Sequence, residues 1–125
     1  MNGNIKQTSR TQNAKVNIYD SAGVQAGENV VGTPCNVFAV VATNKGASVA
    51  YLQMFDSTSA PSGVPSFVPV AVPPGTTACV NFNDVSGNGL FGLSCTSGLT
   101  WGASTTATTY TADSSDLWVS IHYAN

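Results

Sequence analysis

The sequence predicts an all-β protein, an antiparallel β-sandwich or jelly-roll-like single domain. Several short segments alternate apolar and polar residues with the period of a β-strand. Turns rich in Gly, Pro, Asn and Ser separate these segments. Helix-forming residues are scarce, with one Glu and three Lys in 125 residues. A chain of this length buries about two-thirds of its unfolded surface in one core. We expect one domain over residues 16–125, preceded by an extended arm over residues 1–15.

The most regular alternation spans residues 116–123, where every second residue from Leu117 to Tyr123 is apolar or aromatic. We expect the closing strand of a sheet here, with the other set of side chains facing away from the core. That set contains Trp118 and His122. Either the 56–75 loop or the Thr-rich segment covers the Trp118 ring, or the ring lies in a subunit interface, where Trp is enriched. Trp118 and His122 are therefore candidate interface residues.

The preceding segments have the pattern of short strands and turns. Residues 35–42 and 48–55 flank Asn44-Lys45-Gly46, which predicts a hairpin with a three-residue loop. Pro69 interrupts an apolar run at 67–72, which predicts an edge strand or a strand that switches sheets. Further strands are expected at 16–20, 30–31, 78–82, 90–95 and 98–101. The expected core contains Val37, Leu52, Val80, Phe82, Leu93, Val119 and Ile121.

Three cysteines, Cys35, Cys79 and Cys95, are odd in number and far apart. The sequence has no Cys-x-x-Cys pair and no His/Cys cluster, which argues against a zinc site and a disulfide framework. We expect three free thiols in core or half-core positions. The acidic sequence at 113–116 offers oxygen ligands for calcium, but such sequences are common in turns. No metal and no cofactor are expected.

The chain offers little for catalysis. His122 is the single histidine, and nucleophilic catalysis would require a Ser or Cys beside it and a carboxylate behind it. Asp116 lies on the same predicted strand at about 20 Å by the rise of a strand, so it cannot orient this histidine. No Gly-rich loop precedes a helix, so nucleotide phosphate has no predicted site. We expect that the protein is not an enzyme.

Charge is distributed unevenly along the chain. Three of the four cations lie in the first fifteen residues, whereas residues 16–125 hold one Lys against six acidic residues, a net charge of −5. This negative body argues against nucleic acid as a main partner. The first fifteen residues contain one large aliphatic side chain and cannot offset their own ordering cost. They are either a frayed terminus or an arm that becomes ordered on another protein. In the second case the partner-binding residues are Ile5, Lys6, Arg10 and Lys15.

The run Tyr51-Leu52-Gln53-Met54-Phe55-Asp56, followed by Ser59-Ala60-Pro61 with Gly63 and Pro65, resembles small β-structured virion proteins of tailed bacteriophages. The resemblance covers about residues 35–125 and consists of turns and strand ends. Its later points are Val70 to Pro74, Asn88-Gly89-Leu90, Ser104-Thr105-Thr106 and a last strand that ends in Tyr123. The resemblance implies a structural role, since small sandwich domains of this kind coat or lock a capsid or sit on a tail. The arm is not part of the pattern, and no site residues carry over from it.

We therefore expect a capsid decoration (cement) protein that binds the major capsid protein and stabilises the shell. In this role it is a homo-oligomer, with a trimer favoured over a dimer, made in the host cytoplasm and located on the capsid surface. No membrane partner is expected, because no segment has the length of a transmembrane helix and the N-terminus lacks the apolar core of a signal peptide.

The alternative function is a tail or head-fibre domain that binds a cell-surface glycan or another virion protein. The residues that bind the glycan would be among Trp101, Trp118, Tyr110 and Tyr51. Two aromatic residues and several Asn or Asp side chains on one concave patch would favour this alternative. A pilus-like structural subunit is a further hypothesis.

Overall fold

A computed structural model describes residues 16–82, 92–112 and 116–125. The strands are β1 Asn17–Gln25, β2 Gly27–Val31, β3 Cys35–Asn44, β4 Ala50–Phe55, β5 Val70–Val72, β6 Thr77–Asn81, β7 Leu93–Cys95, β8 Leu99–Ser104 and β9 Leu117–Ala124. Sheet 1 has the order β1-β9-β3-β6, with β7 also paired to β3, and sheet 2 has the order β2-β8-β4-β5. Every pairing is antiparallel. The predicted all-β sandwich is confirmed.

The last strand lies in the interior of sheet 1. β9 is inserted between β1 and β3, with Tyr19 opposite Ile121 on one side and Ala42 opposite Val119 on the other. Leu117, Val119 and Ile121 are fully buried. The prediction that residues 116–123 form the closing strand of an existing sheet is confirmed.

The core fills the space between the two sheets. Four of the seven predicted core residues are fully buried, and the other three are partly buried and packed against the core. The fully buried residues are Val37, Leu52, Val119 and Ile121, and the partly buried ones are Val80, Phe82 and Leu93. The largest fully buried side chain is Trp101 of β8. Its Nε1 donates to the Tyr19 hydroxyl at 2.9 Å, which joins sheet 2 to sheet 1.

The predicted hairpin between residues 35–42 and 48–55 is wrong. β3 pairs with β6, β7 and β9, whereas β4 pairs with β5 and β8 in the other sheet. The turn that starts at Asn44 is therefore an arch that crosses the sandwich. Both strands carry buried apolar residues, and the arch places these two faces against each other across the core. Two strands and a Gly-containing turn have the same local pattern in a hairpin and in an arch.

Asn44 organises this arch from a fully buried position. Its side-chain amide donates to the carbonyl oxygens of Ser48 and Val72, both at 2.8 Å. Its side-chain oxygen accepts from the Gly46 N–H at 2.7 Å. Because Val72 belongs to β5, this one side chain fastens the end of β3 both to the arch and to sheet 2.

We predict that Asn44→Ala lowers the free energy of unfolding by about 2–4 kcal/mol, because it removes three hydrogen bonds and leaves buried backbone groups without a partner. Urea denaturation followed by circular dichroism measures the loss. Asn81→Ala, at an exposed position of β6, is the matched control and should change stability by less than about 0.5 kcal/mol. Equal stability of the two variants would show that Asn44 does not hold the arch.

The edge strands β5 of sheet 2 and β1 of sheet 1 differ in length and in proline content. β5 is the edge strand predicted from Pro69, and in the described part of the chain it pairs with β4 alone. Pro69 and Pro73 flank its three residues, so this edge offers few N–H donors to another chain. β1, the edge of sheet 1, is nine residues long. In the described part of the chain β1 pairs with β9 alone, so its other side is the longer open edge.

Candidate interaction surface

Twelve side chains on one side of sheet 1 form one surface, which we name the outer face. They lie in three rows that cross β1, β9, β3 and β6. The rows are Ile18, His122, Ala39 and Asn81; Asp20, Ser120, Val41 and Cys79; and Val24, Trp118, Thr43 and Thr77. Each of the twelve is half-buried or exposed. Asp20 is the one acidic residue among them, and the set contains no Lys or Arg.

Large apolar side chains on this surface are open to solvent. Ile18 is 67% exposed, Val24 is 44% exposed and Trp118 is 43% exposed. The three belong to neighbouring strands β1 and β9 and lie within the three rows. A surface that combines exposed apolar and aromatic residues with little charge has the composition of the centre of a protein–protein interface.

Asp20 holds the Trp118 ring in place on this surface. The indole Nε1 donates to Asp20 Oδ1 at 2.8 Å, and the Ala22 N–H donates to the same oxygen at 2.8 Å. These hydrogen bonds, that of Ala22 first, hold the pKa of Asp20 below its ordinary value. The ring is thus positioned without being buried. A partner that covers Trp118 meets an aromatic group whose orientation is already set.

The opposite side of the sandwich is covered by the chain's own loops. Gly102 of β8 has no side chain, and a Cβ there would lie 2.5 Å from the Tyr110 ring and 2.9 Å from Pro61. Phe55 packs edge-on against Tyr110, with ring centroids 6.1 Å apart. Gln53 is buried, and its Nε2 donates to the Thr106 carbonyl oxygen at 2.9 Å. Segments 56–66 and 105–111 therefore cover sheet 2, and not Trp118 as one prediction had it.

The predicted site residues fall in different places. Trp118 and His122 both lie on the outer face, where His122 is half-buried between Ile18 and Ala39. Asp116 lies at the far end of β9, where its backbone oxygen accepts from the Lys45 N–H at 2.9 Å. Asp116 and His122 are thus near opposite ends of β9, as predicted from the rise of a strand.

The predicted arm residues Ile5, Lys6, Arg10 and Lys15 lie outside the described residues. The described chain starts at Val16, which is 58% exposed and immediately precedes β1. Because β1 is the edge strand of sheet 1 and begins beside the Ile18 row, Val16 lies at the margin of the outer face.

The four aromatic residues expected for glycan binding are divided between the core and the two outer sides of the sandwich. Tyr51 alternates on β4 with the buried Leu52, so it lies on the same side of sheet 2 as Tyr110. Trp101 is fully buried in the core, which corrects its assignment as a glycan ligand. Tyr110 packs on the cover of sheet 2, and Trp118 lies on sheet 1. A depression of about 530 Å³ at one end of sheet 1 has no aromatic lining. Its lining residues are Pro34, Cys35, Asn36, Ser94, Cys95, Thr96, Ala124 and Asn125.

Sequence reasoning found two members of the outer face and missed the rest. Ile18 stands in the alternating segment at 16–20, but alternation alone does not tell which of the two sets of alternate residues is buried. Val24 lies outside the strands that the sequence predicts. Cys79 was expected in a core or half-core position and is exposed on this face instead. Cys35 and Cys95 are buried free thiols, as predicted. The signal for the missing residues is the register between strands, which a local pattern does not contain.

No protein-family model matches the chain, no curated protein is significantly similar to it, and no solved structure is significantly similar to its fold. Among the described residues, no group of three or more His, Cys, Asp and Glu side chains could hold a metal ion. Within the same part of the chain, no helix is long and apolar enough to cross a membrane.

Proposed function

We propose that this protein is a bacteriophage capsid decoration (cement) protein that binds the major capsid protein on the outside of the shell and stabilises it. One observation carries the proposal: in the described part of the chain the outer face carries exposed apolar side chains and little charge, while loops cover the equivalent side of sheet 2. Ile18, Val24 and Trp118 are the large apolar side chains that this face exposes to solvent. A face of this kind is suited to binding another protein.

The strand order gives separate support. When β7 is left out, the order in sheet 1 becomes first, eighth, third and sixth, and the order in sheet 2 becomes second, seventh, fourth and fifth. We infer from this order that the sandwich is a jelly roll, an arrangement that viral capsid domains use. Lectin domains use it too, so the fold alone does not separate the two functions. The burial of Trp101 and the placement of Trp118 on the other sheet from Tyr51 and Tyr110 favour the capsid role.

The size of the outer face indicates that it does not act alone. Four strands at about 4.8 Å spacing and three rows at about 7 Å spacing give roughly 400 Å². A stable interface buries about 800 Å² on each partner. The remaining area has to come from elsewhere on the chain, and residues 1–15 precede Val16, which lies at the margin of this face. Fully extended, fifteen residues reach about 50 Å, which is enough to cross onto a neighbouring subunit.

We further propose that the protein is a homo-oligomer on the virion surface, a trimer before a dimer. The long edge of β1, which pairs with β9 alone in the described part of the chain, is the surface that supports contacts between copies.

The direct test is addition of the protein to purified shells that lack it. The proposal predicts that the protein sediments with the shells at a fixed stoichiometry and raises the temperature at which they come apart. The control is the folded protein centrifuged without shells, which should remain in the supernatant. Failure of the folded protein to bind shells of any tailed phage in whose particles it occurs would contradict the proposal.

We predict that deletion of residues 1–15 weakens attachment and removes most of its salt dependence. Lys6, Arg10 and Lys15 supply the positive charge of this segment, and exposed ion pairs weaken as the screening length shrinks. A full-length control with all three changed to Gln separates charge from length. It should bind about tenfold more weakly at low salt, because three exposed pairs contribute roughly 1.5 kcal/mol together. If the deletion variant binds as tightly as the full chain with the same salt response, the arm takes no part in attachment.

A further inference from the structure

Two of the three cysteines stand directly opposite each other in sheet 1. Cys35 opens β3, Cys95 closes β7, and the two are partners in the antiparallel register. They are 6% and 2% exposed. Each thiol acts on the pKa of the other. Cys79, by contrast, lies on the outer face at an exposed position.

The backbone geometry of this pair suits a disulfide bond. Directly opposite residues in an antiparallel pair have Cα atoms about 4.5–5.5 Å apart, and disulfides span Cα separations of about 4.4–6.8 Å. The turn after Cys95 is held firmly, because Asp56 accepts hydrogen bonds from the N–H groups of Thr96 at 2.9 Å and Ser97 at 2.8 Å. Closing the bond therefore requires no rearrangement of the strands.

A small molecule can reach the pair from outside. Both cysteines line the depression of about 530 Å³ at the end of sheet 1. Its other walls include Asn36, Ser94 and Thr96, which offer hydrogen-bonding groups to a polar molecule.

We propose that Cys35 and Cys95 are a disulfide-forming pair that a small-molecule disulfide, such as oxidised glutathione, oxidises through this depression. The thiolate of Cys35, the more exposed of the two, attacks one sulfur of the small disulfide and releases the first small thiol. The thiolate of Cys95 then attacks the Cys35 sulfur of the mixed disulfide and releases the second thiol. The protein loses two protons and two electrons, and the small disulfide gains them.

The surroundings make this oxidation slow. Burial, and then the neighbouring Cys35, raise the pKa of the Cys95 thiol to about 12. Burial also raises the pKa of Cys35, and the negative charge of Asp56 acts in the same direction on both thiols. Because the thiolate is the attacking species, the pair stays reduced in a glutathione-buffered cytoplasm and is oxidised only on long exposure to an oxidising medium.

The bond would join distant parts of the chain. It closes a loop of about sixty residues that contains β4, β5 and β6, and long loops lose the most unfolded-state entropy on cross-linking. A rise in Tm on the order of 10 °C is expected from this effect. The inference does not depend on the proposed function, since it concerns the isolated domain.

The test uses the full chain carrying Cys79→Ser, incubated with oxidised glutathione at mildly alkaline pH. The expected product lacks the mass of two hydrogen atoms, keeps its native circular dichroism and has the higher Tm, and dithiothreitol reverses all changes. A second variant, Cys35→Ser with Cys79→Ser, can form only a glutathione adduct. Two unreacted thiols, adducts on both cysteines, or a disulfide that forms only in denaturant would overturn the proposal.

Discussion

Trp118→Ala is expected to weaken attachment to the shell by about thirtyfold or more while leaving the domain folded. Trp residues at the centre of an interface commonly contribute about 2 kcal/mol or more when truncated to Ala. Trp118 lies in the third row of the outer face, flanked by Val24 and Thr43, and its indole is already fixed by Asp20. Covering it therefore requires little loss of side-chain freedom.

The matched control for this change is Val68→Ala. Val68 is 85% exposed but lies in the segment beside sheet 2, away from the outer face. The Val68→Ala substitution removes exposed apolar surface outside the proposed interface, so shell binding should be unchanged. Shell affinity is measured by sedimentation of labelled protein over a range of concentrations. Equal affinities for Trp118→Ala and the unmodified chain would remove the outer face from the account.

Val119→Asp should prevent the domain from folding. Val119 is fully buried in the central strand of sheet 1, one residue from the exposed Trp118. An unpaired carboxylate at such a position costs several kcal/mol, and the whole domain is stabilised by about 5–15 kcal/mol. Circular dichroism and a thermal scan report the outcome.

His122→Asp provides the control on the same strand. It introduces the same side chain on the outer face, beside Ile18 and Ala39, where water can reach the carboxylate. This variant should give a native spectrum with a cooperative transition. A folded Val119→Asp protein would mean that β9 does not face the core as described.

The sequence predicted where the strands lie better than it predicted which strands pair with each other. The alternation in β9 indicated a closing strand with one buried face, and the proline at 69 indicated an edge strand or a strand that switches sheets, because burial and lost donors act on each segment separately. The partners of β3 and β4 could not be predicted in this way, since their arch depends on the Asn44 hydrogen bond to Val72 in a distant strand. Assignment to one sheet or the other is a property of the assembled core.

The same limit applies to the interaction surface. Trp118 could be placed away from the core once its neighbours on β9 were placed inside. Ile18 and Val24 could not be assigned to the outer face in the same way. Their position beside β9 follows from a register that includes an irregularity between Asp20 and Val24. Nor could the sequence show that Pro61 and Tyr110 cover sheet 2 above Gly102. The contrast between the covered sheet 2 and the exposed apolar side chains of the outer face is visible only in the folded chain.

The environment of Trp118 before and after shell binding tests the central claim most directly. The protein is prepared with 5-hydroxytryptophan, which can be excited apart from the tryptophans of the shell. In the free protein the two labelled positions have different environments, because Trp101 is fully buried and Trp118 is 43% exposed. On binding we predict a blue shift and protection from acrylamide quenching, both absent in Trp118→Phe. Bound protein whose emission and quenching equal those of the free protein would contradict docking through the outer face.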